Sequence, residues 1–577
     1  MITEDTTNKK LYSFIKGKKS DGGGVNPLRE NNILRSTPRE KAEILNRQFC
    51  SVFTEEDLSN VPSMGPPLDQ EAPNIIVSVA GVENLLKNLN PHKATGPDQI
   101  SSRFLNSMSN VLAPVLTIIF QESLDKGQIP EDWKKAYVAP IFKKGDKATA
   151  SNYRPVSLTS ICCKVLEHII HSQLMNHLEL NNFISDQQHG FRKRRSCESQ
   201  LIITVDDLSR GLNRHQQIDA VTLDFSKAFD KVPHKRLAVK LQHYGITGKT
   251  LEWIQCFLQG RTQQVVVDGE QSAPAPVASG VPQGTVLGPL LFLVYINDLP
   301  QRVRSTSRLF ADDCLLYRTI NTPSDARQLQ QDLDSLRQWE IDWQMEFNPD
   351  KCEVIRITNK KTVITTDYTI HGQRLNTTSK TKYLGVTIDN KLTWAAHVKN
   401  TTQKANNTLS FLRRNISSCP QHIRMTAYKT LVRPQLEYAA TVWDTSIKSQ
   451  TSAIEMVQRR AARFITSDHS RRSSVTSMLN DIQLEKLKTR RIRARATMLF
   501  RTVKGLVELP TINHLTPANT NTRGHTKRFV RPMCYIKPYA DSFYPSMISF
   551  WNRLPQHVVD SESVEEFKRG VELLEIR

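Results

Sequence analysis

The sequence contains no Cys-x-x-Cys pair. Its nine cysteines (Cys50, Cys162, Cys163, Cys197, Cys256, Cys314, Cys352, Cys419 and Cys534) are odd in number and scattered. Neither a disulfide framework nor a structural zinc site is indicated, and reduced thiols in an intracellular compartment fit the pattern. Long apolar runs are also lacking. The longest, Pro289–Ile296, falls far short of the ~20 residues that a spanning helix needs. Met1–Lys19 holds no apolar stretch of the kind that marks a secretory signal, and no lipid-anchoring pattern is present. A chain that is neither secreted nor bound to a membrane is expected, with the sequons at Asn376, Asn400 and Asn415 as chance matches. Acidic residues are in deficit: 57 Asp and Glu stand against 78 Lys and Arg, a net charge of +21. A surplus of that size is the footprint of a polyanion partner. A basic protein without such a partner, or a membrane-surface binder, is the alternative. Without a lipid anchor, nucleic acid is favoured.

What is present is ordinary globular material: 577 residues, 38% hydrophobic and 23% charged. That length corresponds to about four domain-sized units and can bury a large core without staples. No repeat appears, and Gly22-Gly23-Gly24 is the one low-complexity spot. Apolar spacing predicts helices over Pro38–Phe53, Gly81–Leu89, Phe104–Leu124, Ile161–Leu180 and His234–Tyr244. Strands are predicted at Tyr137–Phe142, Ile218–Phe225 and Thr262–Val267, the last closing at the hairpin signal Asp268-Gly269. Leu309-Phe310, Ala311-Asp312-Asp313 and Leu315–Tyr317 read as strand, tight turn and returning strand. From about Ala395 the pattern becomes helical and basic. Arg459, Arg460, Arg463, Arg471, Arg472, Lys486, Lys488, Arg490, Arg491, Arg493, Arg495, Arg501 and Lys504 crowd one region. A set of solvated helix faces is the simple reading, but with few acids nearby, phosphate contact is expected here.

Three segments carry chemistry. Asp312 and Asp313 are adjacent carboxylates at a hairpin tip, an arrangement that is costly unless a cation relieves it. Asp224 ends a buried strand, where its carboxylate can meet another on a neighbouring strand. Three hard oxygen donors suit Mg²⁺, and two such ions ~3.5–4 Å apart suit in-line phosphoryl transfer. Taken alone, Asp224 reads as a strand-end cap and Ala-Asp-Asp as a polar turn. Between them, Ala278–Phe292 is a glycine-rich turn running into an apolar helix, with glycines that let backbone approach a ligand closely.

In order and content these segments resemble motifs A, B and C of reverse transcriptases. The form Leu223–Asp230, with Ile296–Pro300 after the glycine-rich turn, is similar to the non-LTR retrotransposon branch, Jockey-type elements most of all. Lys93–Asp98, Pro140–Asp146, Asn152–Leu158 and Gln188–Arg192 resemble the family's early finger motifs. Trp339–Cys352 resembles motif D, Lys382–Asp389 motif E, and Tyr544–Pro555 the terminal pattern. The resemblance covers nearly the whole chain.

It implies an α+β right-hand polymerase. Residues 1–68 would be an extension resembling the endonuclease–polymerase linker, 69–215 fingers and 216–394 an antiparallel palm. Residues 395–505 would form a basic helical thumb and 506–577 a C-terminal extension. Asp224, Asp312 and Asp313 would hold two Mg²⁺ ions, with Mn²⁺ as a substitute. Arg154 would clasp a dNTP with Lys143 or Lys144 nearby, the backbone of Phe225 facing the triphosphate. Phe229 would be the aromatic gate against a 2′-OH, and Gln283 and Gly284 would line the pocket. Lys351 would be the general acid, and Tyr383, Leu384 and Gly385 the primer grip. The implied partners are an RNA template and a DNA primer or target DNA, the setting a cytoplasmic ribonucleoprotein and the nucleus. An endonuclease and a zinc knuckle, usual in full elements, are not seen, so a polymerase part of a longer element or a degenerate copy is expected. The competing expectations are a catalytically silent nucleic-acid-binding relic and an RNA-dependent RNA polymerase. Intact acids, Phe229, Arg154 and Gln283 weigh against the first, and Phe229 with the Phe-Ala-Asp-Asp form against the second.

Overall fold

The computed structural model describes residues 9–19, 24–511, 514–518 and 524–574. Met1–Asn8 and Gly22-Gly23 of the glycine triplet lie outside them. The strands that position the site are, in chain order, β1 (Lys135–Phe142), β2 (Tyr153–Leu158), β3 (Gln217–Asp224), β4 (Thr262–Val267), β5 (Thr306–Phe310), β6 (Asp313–Ile320), β7 (Glu353–Thr358), β8 (Asn376–Thr378), β9 (Lys380–Tyr383) and β10 (Val386–Asp389). The helices are α1 (Pro38–Cys50), α2 (Ser109–Lys126), α3 (Ile161–Leu180), α4 (Cys197–Asn213), α5 (Leu287–Ile296), α6 (Pro323–Trp343), α7 (Ala395–Ile416), α8 (Lys448–Thr466), α9 (Leu487–Val503), α10 (Phe543–Trp551) and α11 (Val564–Glu572).

The chain is a mixed α and β structure. Its central sheet runs β8-β7-β3-β6-β5. β3, β5, β6 and β7 pair antiparallel, and β8 joins β7 in parallel. Because strand side chains alternate faces, β3 divides its residues between two cores. Val221 and Leu223 face one, with Leu316 of β6 and helices α5 and α6. Ile218 and Ala220 face the other, with Leu315, α4 and the helices from α7 onward. Burial on both faces takes in the polar members of the strand as well, with Gln217 and Asp219 fully buried. A Leu→Ala change in either layer costs about 2–5 kcal/mol.

A second sheet joins β1 to β2 antiparallel and to β4 in parallel. Its face packs on α1 through Val138, Val265, Leu45 and Phe49. Residues 1–68, expected as an extension, thus contribute α1 to this core and Leu11 and Ile15 to the second. Among the described residues no helix is long and apolar enough to cross a membrane. All nine cysteines are free thiols.

Two expectations are corrected. Phe104–Leu124 is not one helix: Ser102–Ser107 and α2 are separated at Met108, whose φ of −105° and ψ of 19° leave helical geometry. Pro114, inside α2, has no N–H to offer Asn110, which weakens the ladder through the same stretch. The basic run is also not uniformly available to phosphates. Arg491 and Arg495 are buried on Asp444 at 2.8 and 3.4 Å, Arg490 pairs with Glu437 and Arg493 with Glu485. Helix α9 lies inside the carboxyl-terminal part, so its arginines meet acids that are distant in sequence.

Candidate active site

The hairpin between β5 and β6 turns in two residues, Ala311 and Asp312, with Ala311 in the left-handed region at φ 52°. The ladder register sets Asp313, the first residue of β6, opposite Asp224, the last of β3. Gln188 holds this turn from outside: its Oε1 accepts the N–H of Ala311 at 2.9 Å and of Gly190 at 2.7 Å. A Cβ on Gly190 would sit 2.4 Å from Ala311 N, so only glycine allows the approach.

Three carboxylates therefore share one sheet end. The surrounding protein, then the charges of Asp312 and Asp224, push Asp313 up to about 6. Its side chain still opens to the cleft, so water moderates that effect. Asp312 is raised in the same direction, by burial first and by Asp224 after it. Asp224 is drawn instead onto Lys351, whose Nζ lies 2.6 Å from its Oδ2. Among the described residues no three His, Cys, Asp or Glu side chains converge as a ready coordination cluster. The donor chemistry nonetheless fits a divalent cation, because hard oxygens crowded by like charge are what such an ion relieves.

Around the carboxylates lies a cleft of ≈ 480 Å³. Its walls bring together Lys143, Lys144, Arg154, Asp224, Phe225, Phe229, Gln283, Asp312, Asp313 and Lys351. Lys143 opens the loop after β1, and Arg154 faces solvent from β2. Neither makes an ion pair among the described residues. Burial, then the charges of Arg154 and Lys351, lower the Lys143 pKa, against the opposing pull of Asp224. The Phe225 ring turns away and stacks on Phe347 with centroids 4.2 Å apart, leaving its backbone to the cleft. Phe229 stacks on Phe292 of α5 at 4.4 Å, with Phe191 edge-on at 6.5 Å.

The loop before α5 is tied on three sides. Gly280 N and Val281 N donate to the carbonyls of Val232 and Phe229, both at 2.8 Å. Ser157 N of β2 donates to Gln283 O at 2.7 Å. Glu167 of α3, wholly buried, accepts the N–H groups of Val286 and Leu287 on one oxygen at 2.6 and 3.0 Å. Gln283 Nε2 donates to Asp230 Oδ1 at 3.1 Å. Burial pushes the Asp230 carboxyl up to about 6 despite Lys227 beside it. Gly284, the next residue, is exposed and packs against the Ser157 backbone.

The remaining sequence-expected group stands apart from this cleft. β9 and β10 form a hairpin whose turn, Leu384-Gly385, has φ of 44° and 84° at its two positions, the primed geometry that suits strand twist. Tyr438 donates its hydroxyl to Leu384 O at 2.9 Å. Gly385 borders a separate pocket of ≈ 400 Å³ with Lys382, His397, Lys404 and Tyr438. Tyr383 is buried, its hydroxyl 3.3 Å from Gln200 Nε2.

Lys227, Asp230, Asn348, Gln188 and Glu167 escaped the sequence reading as site residues. Lys227 and Asp230 lay inside a quoted motif, and their polar character within an otherwise apolar stretch was the available signal. Asn348 meets Asp224 through its backbone N–H, which donates to Asp224 O at 2.8 Å. Such a contact leaves no trace in side-chain pattern.

Residues 141–388 match the family model described as reverse transcriptase (RNA-dependent DNA polymerase). That range contains every cleft residue named above, from Lys143 to Lys351. The chain is 29% identical over 413 residues to the RNA-directed DNA polymerase from mobile element jockey of Drosophila melanogaster, covering 69% of this chain and 45% of that protein. The jockey polymerase of Drosophila funebris is 28% identical over 488 residues, 80% of this chain and 53% of the relative. The probable RNA-directed DNA polymerase from transposon BS of Drosophila melanogaster is 29% identical over 441 residues, 72% and 48% respectively. The chain spans about half the length of the curated relatives it matches. The chain carries a reverse transcriptase domain and is a homologue of the RNA-directed DNA polymerases of jockey and other non-LTR retrotransposons.

Proposed function

We propose that this chain adds dNMP units to a primer 3′-OH along an RNA template and releases pyrophosphate. One observation carries the reading. Asp224, Asp312, Asp313, Lys143, Arg154, Phe229, Gln283 and Lys351 come from separate stretches of sequence and line a single cleft. In this reading the central sheet is the palm, the β1-β2-β4 sheet and the helices before it are fingers, and α7 to α9 form the thumb. Residues 506–577 extend it.

Asp224 and Asp312, supported by Asp313, would hold two Mg²⁺ or Mn²⁺ ions. Bound there, the ions would supply charge stabilisation for the attacking and leaving oxygens of phosphoryl transfer. Arg154 grips the triphosphate through its fork of donors, and Lys143 and Lys144 add charge. The Phe225 backbone borders the phosphates, since its ring is withdrawn onto Phe347. Phe229, braced by Phe292, fills the space that a 2′-OH would need and so selects dNTPs. Asp230 can only accept, so it turns the Gln283 amide NH₂ toward itself and the Gln283 oxygen toward the nucleotide. Lys351 gives a proton to the departing pyrophosphate. Tyr383, Leu384 and Gly385 hold the end of a DNA primer. The exposed cations of the carboxyl-terminal helices follow duplex phosphates without reading sequence, and the RNA strand is held by shape and 2′-OH contacts.

Primer extension tests this. The purified chain is given a DNA primer on an RNA template, dNTPs and Mg²⁺, beside Asp312→Asn. Extension that disappears in the variant supports the reading. Extension that survives in Asp312→Asn removes the metal assignment. Duplex binding without extension by the wild type leaves a silent nucleic-acid-binding chain.

A further inference from the structure

Gln188 is satisfied on one side only. Its side chain is buried, and its Oε1 accepts two backbone N–H groups, from Gly190 at 2.7 Å and from Ala311 at 2.9 Å. Its Nε2 is enclosed and has no partner among the described residues. An enclosed donor without an acceptor is unfavourable, so an apolar side chain of the same length would fill this place at lower cost. The amide is explained by its oxygen. What that oxygen holds is the turn between β5 and β6. Ala311 stands in the left-handed region at φ 52°, which favours glycine. A residue with a side chain persists there where its surroundings over-determine it. Gln188 fixes the N–H of that residue, one position before Asp312. Asp312 and Asp313 repel each other and Asp224 across the ladder. Without a brace the turn would open to separate them.

The brace is itself held. Leu309 N donates to Gln187 O and His189 N donates to Leu309 O, both at 2.9 Å, so Gln188 bridges the edge of β5 in parallel. Arg195 Nη1 donates to Gln188 O at 3.3 Å, while its Nε donates to Glu508 at 2.7 Å. Backbone and side chain of Gln188 are thus both fixed by groups outside the cleft. Support of this kind, in place before an ion or a substrate arrives, is what a precisely placed ligand needs.

We infer that Gln188 is a positioning residue, whose Oε1 sets the Ala311 turn and through it the reach of Asp312 toward a divalent cation. The inference rests on the metal assignment proposed above and adds to it a residue that does not line the cleft.

The test is Mn²⁺ binding to the full chain, read by electron paramagnetic resonance without nucleic acid or dNTP. The site is the binding that Asp312→Asn removes. Gln188→Met keeps the side-chain length and loses the acceptor, whereas Gln188→Glu keeps an acceptor oxygen. Gln188→Met should weaken Mn²⁺ binding by about tenfold or more, the usual cost of losing a group that orients a metal ligand. Its kcat for single-nucleotide extension should fall by a similar factor, with KM for dNTP within about threefold of wild type. Gln188→Glu should bind Mn²⁺ at least about a third as tightly as wild type. Mn²⁺ binding by Gln188→Met within about threefold of wild type overturns the inference, whatever its thermal melt shows. So does Gln188→Glu binding as weakly as Gln188→Met, since packing rather than the acceptor would then matter. If Gln188→Met does not fold, hydrogen exchange on the wild type decides, and an Ala311 amide that exchanges as fast as an unprotected one overturns the inference. Equal Mn²⁺ binding by wild type and Asp312→Asn removes the metal assignment and this inference with it. A loss in Asp312→Asn without one in Gln188→Met removes the inference alone.

Discussion

Gly284→Ala should disable nucleotide use while leaving the chain folded. Gly284 has φ of 108°, and a Cβ there would stand 2.5 Å from Ser157 O. The left-handed backbone costs an alanine about 1–2 kcal/mol. The contact adds a second cost, since the loop cannot withdraw without breaking the 2.7 Å bond from Ser157 N to Gln283 O. Overpacking of this kind costs about 1–3 kcal/mol, for a total of roughly 2–5 kcal/mol. The strain falls between β2, which carries Arg154, and the loop that carries Gln283, both on the cleft wall. If it is relieved by displacing that wall, kcat/KM for dNTP drops about 30-fold or more, at about 1.4 kcal/mol per tenfold. Single-nucleotide extension against dNTP concentration reads this directly. Gly65→Ala is the control, because Gly65 has φ of 82° with nothing near its would-be Cβ. It carries the backbone cost alone, away from the cleft. Gly284→Ala within about threefold of wild type would refute the reasoning. So would equal losses in both variants, since backbone strain of about 1–2 kcal/mol would then explain everything.

Phe229→Val should open the pocket beside Phe292 and raise rNTP incorporation relative to dNTP by at least tenfold, about 1.4 kcal/mol; an unchanged ratio in a competition assay would remove the gate assignment. Glu167→Ala should lower stability by roughly 2–6 kcal/mol, since it strands two buried N–H donors at about 1–3 kcal/mol each. Glu167→Gln should stay within about 1 kcal/mol, because one oxygen accepts both bonds. Urea melts decide between them, and equal losses for Gln and Ala would show that charge rather than acceptance matters. Asp230 carries a pH signature. Its carboxyl lies at about 6 in the fold against an ordinary 3.8, so between those values the folded chain binds more protons than the unfolded one. Stability then falls as pH rises through that window, and the burden at pH 7.5 is about 3 kcal/mol at 1.36 kcal/mol per unit. Asp230→Asn should therefore gain stability relative to wild type at pH 7.5 and lose that advantage below pH 4. A difference independent of pH would mean that Asp230 does not titrate in this range.

Much of the fold was legible one residue at a time. The strands at Ile218–Phe225 and Thr262–Val267 and the Asp268-Gly269 turn are local codes, each set by neighbours within a turn or a strand. The ordered motifs also announced most of the cleft, from Lys143 to Lys351, because their chemistry is written in side-chain type and sequence order. The tertiary structure alone decided how distant charges meet. Asp224 turned to Lys351, Arg491 and Arg495 turned inward to Asp444, and Glu167 reached the loop before α5 across more than a hundred residues. It also decided which face of α2 remained outside, with Val111, Val115 and Ile118 exposed. Periodicity reports that a residue is apolar or charged, not what comes to lie against it. That depends on packing between segments whose separation in sequence carries no geometric information.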